Sequence, residues 1–197
     1  SAFNSSTTLN IENNTFTDFG HSVSSNAAIK FISNTTSALN VTINDNIIEN
    51  ITINSTGSIT FVENDAVKPN NSIYSFNNNS INNFSKTEAG GTVTFYQSAT
   101  SSPGNAIIEN MNGNSFSNIS VTGTTVLNGI VSTFGDSAVK SANGNLFNNI
   151  TGGTGDVVLI NVSNSQAGGS ISNNIISNIN SAGEIRSITI GSGTQTV

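Results

Sequence analysis

The chain has 197 residues, a formal net charge of −6, and only 8% charged residues. Its five basic residues are spread along the sequence, which argues against nucleic-acid binding, because phosphate recognition needs clustered Lys and Arg. The absence of Cys and the single His exclude disulfides, thiolate metal sites and paired His ligands, and no apolar run approaches the roughly 18 residues of a membrane-spanning helix.

An eight-residue phrase recurs six times along the chain. Its third residue is always Asn, its fifth Phe or Ile, its seventh Asn or Asp, and its eighth Phe or Ile. The fifth-position residues, which we call the anchors, are Phe16, Ile48, Ile81, Phe116, Phe147 and Ile176. A period near 32 residues is typical of a repeat array, in which each unit buries its apolar side only against its neighbours. The locked spacing also argues against a disordered Asn-rich chain.

Each unit contains three short extended segments in the same order. The first segment carries an apolar residue five positions before the anchor, and the second contains the anchor and the eighth phrase residue. The third alternates β-branched and polar residues, as in Thr92-Val93-Thr94-Phe95-Tyr96, which is typical of strands with one inward face. We therefore predict an all-β, single-domain parallel β-helix with three strands per coil and no helical cap. The six predicted coils span approximately 1–32, 33–64, 65–98, 99–133, 134–164 and 165–197.

The second and third phrase residues predict a corner between the first two strands. The second is Asn, Asp or Gly in every copy, and these residues tolerate a left-handed backbone. The Asn that follows is expected inside the corner, where amides stacked at about 4.8 Å donate to one neighbour and accept from the other. The predicted structural ladder is Asn14, Asn46, Asn79, Asn114, Asn145 and Asn174, with the six anchors stacked in the core.

These units resemble the parallel β-helix repeats of the pectate-lyase-like superfamily, as in adhesin-type and surface β-solenoids. The resemblance rests on the short strands, the Asn at the bend and the inward Ile or Phe, and it covers nearly the whole chain. It implies a right-handed solenoid, in keeping with the usual handedness of parallel crossovers. It does not specify an activity, because that superfamily includes lyases, hydrolases, tailspikes, adhesins and surface proteins.

The charged residues do not predict a catalytic centre. Polysaccharide-cleaving sites need carboxylates that converge on one face, whereas the acidic residues here lie at unrelated positions of their units. Arg186 has no evident acidic partner in the sequence, and His21 is expected in a surface turn. We interpret the charges as solvated surface groups, and predict no catalytic residue, metal site or cofactor and no enzymatic activity.

Ice binding is an alternative, because flat solenoid faces with ranks of Thr perform it. Ser58 with Thr60, Thr92 with Thr94, and Ser187 with Thr189 are the candidate ranks, and Lys30, Asn128 and Asn161 interrupt them. A polysaccharide-active enzyme remains a further alternative on the strength of the resemblance alone.

Twelve Asn-X-Ser/Thr sequons occur, about the number that this composition gives by chance. Asn40, Asn54 and Asn70 lie in or near predicted loops and are the candidate N-glycosylation sites. Asn83 and Asn149 are expected in the inner corner, where no glycan fits.

Neither end of the sequence predicts a helix that would cover the terminal coil, so we expect either a piece of a longer solenoid or ends that meet other copies. We therefore predict a structural subunit of an extracellular, cell-surface assembly such as a filament, sheath or surface layer. Its predicted partners are other copies of the chain, through end-to-end or lateral stacking, and glycans. An adhesin or passenger segment that binds a surface or glycan is the main alternative.

Overall fold

A computed structural model describes residues 7–22, 24–99, 104–135, 138–163, 165–191 and 193–196. All regular secondary structure in these ranges is β-strand, and no helix occurs in them. The strands are β1 (Thr8–Glu12), β2 (Thr15–Thr17), β3 (Gly20–His21), β4 (Ile29–Asn34), β5 (Asn40–Asn44), β6 (Ile47–Ile53), β7 (Ile59–Asn64), β8 (Ile73–Ser75), β9 (Ser80–Lys86), β10 (Thr92–Ser98), β11 (Ile107–Asn110), β12 (Ser115–Val121), β13 (Val126–Ser132), β14 (Ala138–Ser141), β15 (Leu146–Thr151), β16 (Val157–Val162), β17 (Ser165–Ser170), β18 (Ile175–Asn180), β19 (Ile185–Ile190) and β20 (Gly193–Thr196).

The strands form three parallel sheets, and successive coils add one strand to each. The first sheet has the order β1-β5-β8-β11-β14-β17-β20, the second β2-β6-β9-β12-β15-β18, with β3 also paired to β6, and the third β4-β7-β10-β13-β16-β19. Five turns of about 32 residues separate the first anchor from the last. The predicted parallel β-solenoid with three strands per coil is therefore confirmed.

The six anchors occupy one row of the second sheet. Phe16 pairs with Ile48, Ile48 with Ile81, Ile81 with Phe116, Phe116 with Phe147, and Phe147 with Ile176. The four middle anchors are fully buried, whereas the first and last are only partly buried. The second sheet therefore keeps one register along the whole anchor row. A shift by one residue would turn the apolar anchors out of the core.

Two phrase positions adopt a left-handed backbone in every coil. The second position does so as predicted, with φ of 55° to 67° at Asn13, Asp45, Asn78, Gly113, Gly144 and Asn173. The seventh position does so as well, with φ of 54° to 59° at Asp18, Asn50, Asn83, Asn118, Asn149 and Asn178. This second bend was not predicted, and it turns the seventh side chain outward while, in the four middle coils, the anchor and the eighth residue stay in the core.

An aromatic column fills the axis and changes sheet midway. Phe31 stacks on Phe61 with ring centroids 5.1 Å apart, and Phe95 stacks on Phe116 at 4.8 Å. The rings thus pass from the third sheet in the early coils to the second sheet in the later ones. Gly129 allows this crossing, because an added Cβ would overlap Leu159 O and lie 2.7 Å from Phe147 Cε1.

Candidate functional site

The Asn side chains at the third position of the six phrases form one continuous hydrogen-bonded ladder, which we call the inner amide ladder. Each Nδ2 donates to the Oδ1 of the next coil at 2.9–3.1 Å, from Asn14 through Asn46, Asn79, Asn114 and Asn145 to Asn174. The backbone N–H of each donor residue contacts the same oxygen at 2.9–3.1 Å. This second bond fixes which end of each amide is the oxygen, so the ladder has a direction.

The inner amides also satisfy the main chain of the first sheet. From Asn46 onward, each Nδ2 donates at 2.8–3.0 Å to a carbonyl of the preceding coil. The accepting carbonyls belong to Ile11, Ile43, Phe76, Met111 and Ala142. Because a buried polar group without a partner is costly, this arrangement makes Asn suitable in an apolar interior.

A second, discontinuous set of amide contacts, the outer ladder, lies on the outer surface at the left-handed seventh position, and Asn118 Nδ2 interrupts it by donating to Asn82 Oδ1. Asn83 Nδ2 donates to Asn50 Oδ1 at 2.8 Å, and Asn149 Nδ2 donates to Asn118 Oδ1 at 2.7 Å. All four side chains are exposed. The expectation that Asn83 and Asn149 lie in the inner corner is therefore wrong, because the left-handed bend reverses the alternation of strand side chains at this position.

The corner between the third and first sheets contains buried charges, which the sequence did not predict. Lys68, Glu109 and Lys140 are fully buried, and so is Lys86, which ends β9 at the corner between the second and third sheets. Our interpretation of the charges as solvated surface groups is wrong for these residues. Glu109 and Lys140 are direct register partners on adjacent strands β11 and β14, and Tyr74 is the partner of Glu109 on the other side.

Glu109 is the centre of this charged corner. Its Oε1 accepts a hydrogen bond from Tyr96 Oη at 2.8 Å, and its Oε2 accepts one from Ser132 Oγ. Burial, and then the Glu109 charge, raise the pKa of the Tyr96 phenol well above its usual value. Tyr96 therefore stays a neutral donor, as an acceptor-only carboxylate requires.

Lys68 shares the cluster with two aromatic rings. Its Nζ lies 4.8 Å from the Tyr74 centroid and 4.6 Å from the Phe134 centroid, and it donates to Asn64 O at 3.0 Å. Burial lowers the pKa of Lys68, and the charges of Glu109 and Asp65 oppose this shift. Burial also raises the pKa of Tyr74 to about 12.

The other buried lysines close the turns of the solenoid. Lys140 Nζ donates to Phe134 O at 2.7 Å and to Ser163 O at 2.6 Å, and lies 4.0 Å from the Phe134 centroid. Lys86 Nζ donates to Glu88 O at 2.5 Å and to Gly90 O at 2.7 Å. Each ammonium thus binds carbonyl oxygens that have no strand partner, which is a structural role.

The exposed basic residues Arg186 and Lys30 each form a local ion pair. Arg186 Nη2 lies 2.9 Å from Asp156 Oδ2, so the expectation that it lacks an acidic partner is wrong. Lys30 Nζ lies 2.6 Å from Glu63 Oε1, and Ser33 Oγ donates to the same carboxylate. In the described ranges, no group of three or more His, Asp or Glu residues is arranged to hold a metal ion. No helix long and apolar enough to cross a membrane occurs in those ranges.

The candidate ice-binding ranks do not form one row. Thr60 and Thr94 are register partners in the third sheet. Thr189 instead pairs with Asn161, in a different row, and the position that continues the Thr60 row in the last coil is Arg186. The threonines therefore do not present the regular array that a flat ice-binding face needs.

The three predicted glycosylation sites differ in exposure. Asn40 is exposed at the start of β5, and Asn70 is exposed in a turn, where its Oδ1 accepts the Asn105 N–H at 2.8 Å. Asn54 is partly buried, and its Nδ2 donates to Ser22 O at 3.4 Å. His21, expected in a surface turn, lies in β3, and its Nδ1 is 3.2 Å from Asn54 O.

Both terminal coils of the described structure are more open than the middle ones. An apolar recess of about 310 Å³ opens in the first coil, where Phe16, Phe19, Ile29 and Phe31 are among its lining residues. In the last coil most of β19 is exposed, including Ile188 and Ile190. The apolar residues of the first and last described coils are thus less buried than their equivalents in the middle coils.

No protein-family model, curated protein or solved structure matches this chain.

Proposed function

We propose that this protein is a structural subunit whose coils stack end to end with those of a second copy, in an extracellular assembly such as a filament, sheath or surface layer. The observation that carries the proposal is the direction of the inner amide ladder. Asn14 Oδ1 has no donor in the described part of the chain, and Asn174 Nδ2 donates there only to Ala142 O of the preceding coil and to no following amide. The last amide of one copy therefore complements the first amide of the next.

The sheet edges support the same contact. Strands β4 and β19 are the two edge strands of the third sheet. Strands β2 and β18 are the edge strands of the second sheet, where β3 also pairs with β6 beside β2. The pairings at these edges are parallel, so a following copy can continue the second and third sheets without reversal. In the first sheet β20 already pairs with β17 and takes the place that β1 of a following copy would otherwise have, so the proposed continuation concerns the other two sheets. Head-to-tail contact of this kind is heterologous, and it produces filaments or closed rings.

The apolar cross-sections supply the driving force. Phe16 and Phe31 at one end and Ile188 and Ile190 at the other are each at least partly exposed. Burying them against a further coil removes apolar surface from water, which stabilises by about 25 cal/mol per Å². Unpaired strand edges and an open core are the features that soluble repeat proteins normally cover.

The electrostatics of the contact are nearly neutral, with one unfavourable pair. Lys30 begins and Arg186 ends one row of register partners in the third sheet. In a continued register, Arg186 of one copy would therefore lie next to Lys30 of the following copy. Each already has an acidic partner, Asp156 and Glu63 respectively. The remaining repulsion is screened by salt, so we expect assembly to strengthen as ionic strength rises.

The resemblance to pectate-lyase-like solenoids of the surface and adhesin type is compatible with this proposal, and it motivates the extracellular location. A sparsely charged sequence rich in Asn, Ser and Thr is suited to an exposed structural element. An adhesin built on the same solenoid is the alternative that the test below separates.

The test is the concentration dependence of assembly, measured by sedimentation velocity and by electron microscopy. We expect the wild-type protein to form ordered fibres or rings as its concentration rises. Asn174→Asp should weaken assembly, because its carboxylate faces the acceptor Asn14 Oδ1 of the next copy. Asn178→Asp, which places the same charge in the same coil on an exposed amide that donates to Asn148 Oδ1, is the matched control and should assemble normally.

Monomers at every concentration and salt would overturn the proposal. Equal weakening by both variants would also do so, because it would show a general charge effect and no role for the amide register. A monomer that binds glycans on an array would favour the adhesin.

A further inference from the structure

Four sequons lie in one column on the outside of the second sheet. Their Asn residues are the seventh phrase residues of four consecutive coils, Asn50, Asn83, Asn118 and Asn149, each followed by Ile or Phe and then Ser or Thr. The sequence alone placed two of them in the interior, whereas the structure exposes all four. Asp18 and Asn178 hold the same position in the first and last coils but lack the Ser or Thr.

The register makes the column regular. The residues after the four Asn pair with one another across the sheet, as Ile51 with Phe84, Phe84 with Ile119, and Ile119 with Ile150. The hydroxyl residues pair in the same order: Thr52, Ser85, Ser120 and Thr151. Each sequon therefore anchors its middle residue in the core and presents its Asn and its hydroxyl on the surface.

The left-handed backbone holds each of these Asn side chains away from the sheet. Their φ angles fall between 54° and 57°. An amide nitrogen carries two hydrogens, so one can donate within the outer ladder while the other position is substituted. Three of the four amides donate to a neighbouring Asn, whereas Asn50 Nδ2 has no acceptor in the described ranges.

Two other sequons are less suitable for modification. Asn34 is buried, and its Nδ2 donates to Asn64 Oδ1 at 2.8 Å. Asn161 is partly buried within β16. Exposure thus separates the four sequons of the column from these two, although their sequence pattern is the same, and the column differs from the other exposed sequons in being continuous across four coils.

We propose that this column is an N-glycosylation face, with Asn50 the most fully occupied position. The inference rests on the extracellular location in the proposed function. Asn Nδ2 forms a bond to the anomeric carbon of a glycosyl donor, the pyrophosphate carrier of that donor leaves, and the displaced amide proton goes to a base of the transferring enzyme. Because adjacent coils are about 4.8 Å apart and a branched glycan is wider, neighbouring positions compete and occupancy falls at Asn83.

A glycan in this column would not obstruct stacking. The seventh position faces away from the axis, while the contacts proposed for assembly lie at the two ends. Occupied coils would present sugar along one side of a fibre and leave the other two sheets bare. Modification and assembly are therefore independently measurable.

The test is site mapping of the full chain secreted from a eukaryotic host. Enzymatic deglycosylation in ¹⁸O water marks each occupied Asn as labelled Asp, and peptide mass spectrometry measures its occupancy. We expect label at Asn50 above all, less at Asn83, and none at Asn34. Thr52→Ala, which keeps the outer amide, should remove the label at Asn50 and increase that at Asn83 at least twofold.

A gain-of-site variant provides the matched control. Asn180→Thr completes a sequon at Asn178, and we expect it to become labelled because it has the same backbone and exposure. Glycans confined to Asn40, Asn54 and Asn70, or secreted protein without any glycan, would overturn the proposal. Either result would leave the assembly measurements unaffected, so failure here is distinguishable from failure of the structural role.

Discussion

The corner of the inner amide ladder and the charged corner solve the same problem by different means. Both must bury polar groups where the chain turns between sheets. At the amide corner each coil supplies one Asn, so that every amide meets an identical neighbour. At the charged corner a few unlike residues from different coils, with Glu109 at their centre, satisfy one another.

In the ladder, the free-energy cost of burying polar groups is shared among six equivalent amides, whereas in the charged corner it depends on a few groups that occur once. A ladder leaves only its terminal members without partners, so the loss of one amide affects its immediate neighbours. Removal of one partner from a buried charge cluster leaves another charge uncompensated, which is more costly. We therefore expect the charged corner to be the more sensitive of the two.

Removal of Glu109 should have the largest effect. Glu109→Ala leaves the Tyr96 and Ser132 hydroxyls without their acceptor and Lys68 with Asp65 alone as a compensating charge, and we expect a loss of about 4 kcal/mol in the free energy of unfolding. Denaturant unfolding measures it. Glu109→Gln keeps the shape, and a loss below about 1 kcal/mol for both variants would contradict a compensating role.

An alanine in the middle of the inner ladder should be the next most harmful. Asn114→Ala removes the acceptor of the Asn79 N–H and amide and the donor to Phe76 O, which should cost about 3 kcal/mol. Asn14→Ala, at the end of the ladder, should cost about 1 kcal/mol. Similar losses at the two positions, in the same unfolding assay, would argue against a cooperative ladder.

A third prediction concerns Gly129, where the aromatic column passes from the third sheet to the second. Gly129→Ala places a methyl group against Leu159 O and the Phe147 ring, and overpacking of this kind should cost about 2 kcal/mol. Phe147→Leu in the same chain should recover part of the loss, since it removes one of the two obstacles. Thermal unfolding of the single and double variants measures the coupling, and strictly additive losses would count against this packing.

The smallest effect is a pH dependence that belongs to the charged corner. Because burial lowers the pKa of Lys68 below 10.5, the unfolded chain binds more protons than the folded one between the two pKa values. Stability from this group should therefore rise with pH toward 10 and fall as pH drops through the folded pKa. Lys68→Met should reduce the slope by at most about 1.4 kcal/mol per pH unit, the limit for one proton.

The measurement is a series of denaturant unfolding curves between pH 7 and 10. The upper limit avoids the tyrosines, since the raised pKa of Tyr74 has the opposite effect above pH 10. Equal slopes for the wild type and the variant would show that Lys68 does not titrate differently in the folded protein.

The sequence by itself determined the features that every coil repeats. The anchor row, the left-handed second position and the amide corner could all be read from it, because the same residue type recurs at the same phrase position and each copy meets its equivalent. The seventh position shows the limit of such reading. Strand alternation placed Asn83 inside, and only the backbone bend at that residue turned it outward.

Tertiary structure alone decided the contacts that occur once. Glu109 meets Tyr96 and Ser132 from positions 13 and 23 residues away, separations that bear no relation to the repeat. Gly129 likewise matters because Phe147 lies against it in the next coil. A periodic pattern specifies which positions stack, whereas the complementarity of unlike side chains across a corner depends on distances that exist only after the coils have packed.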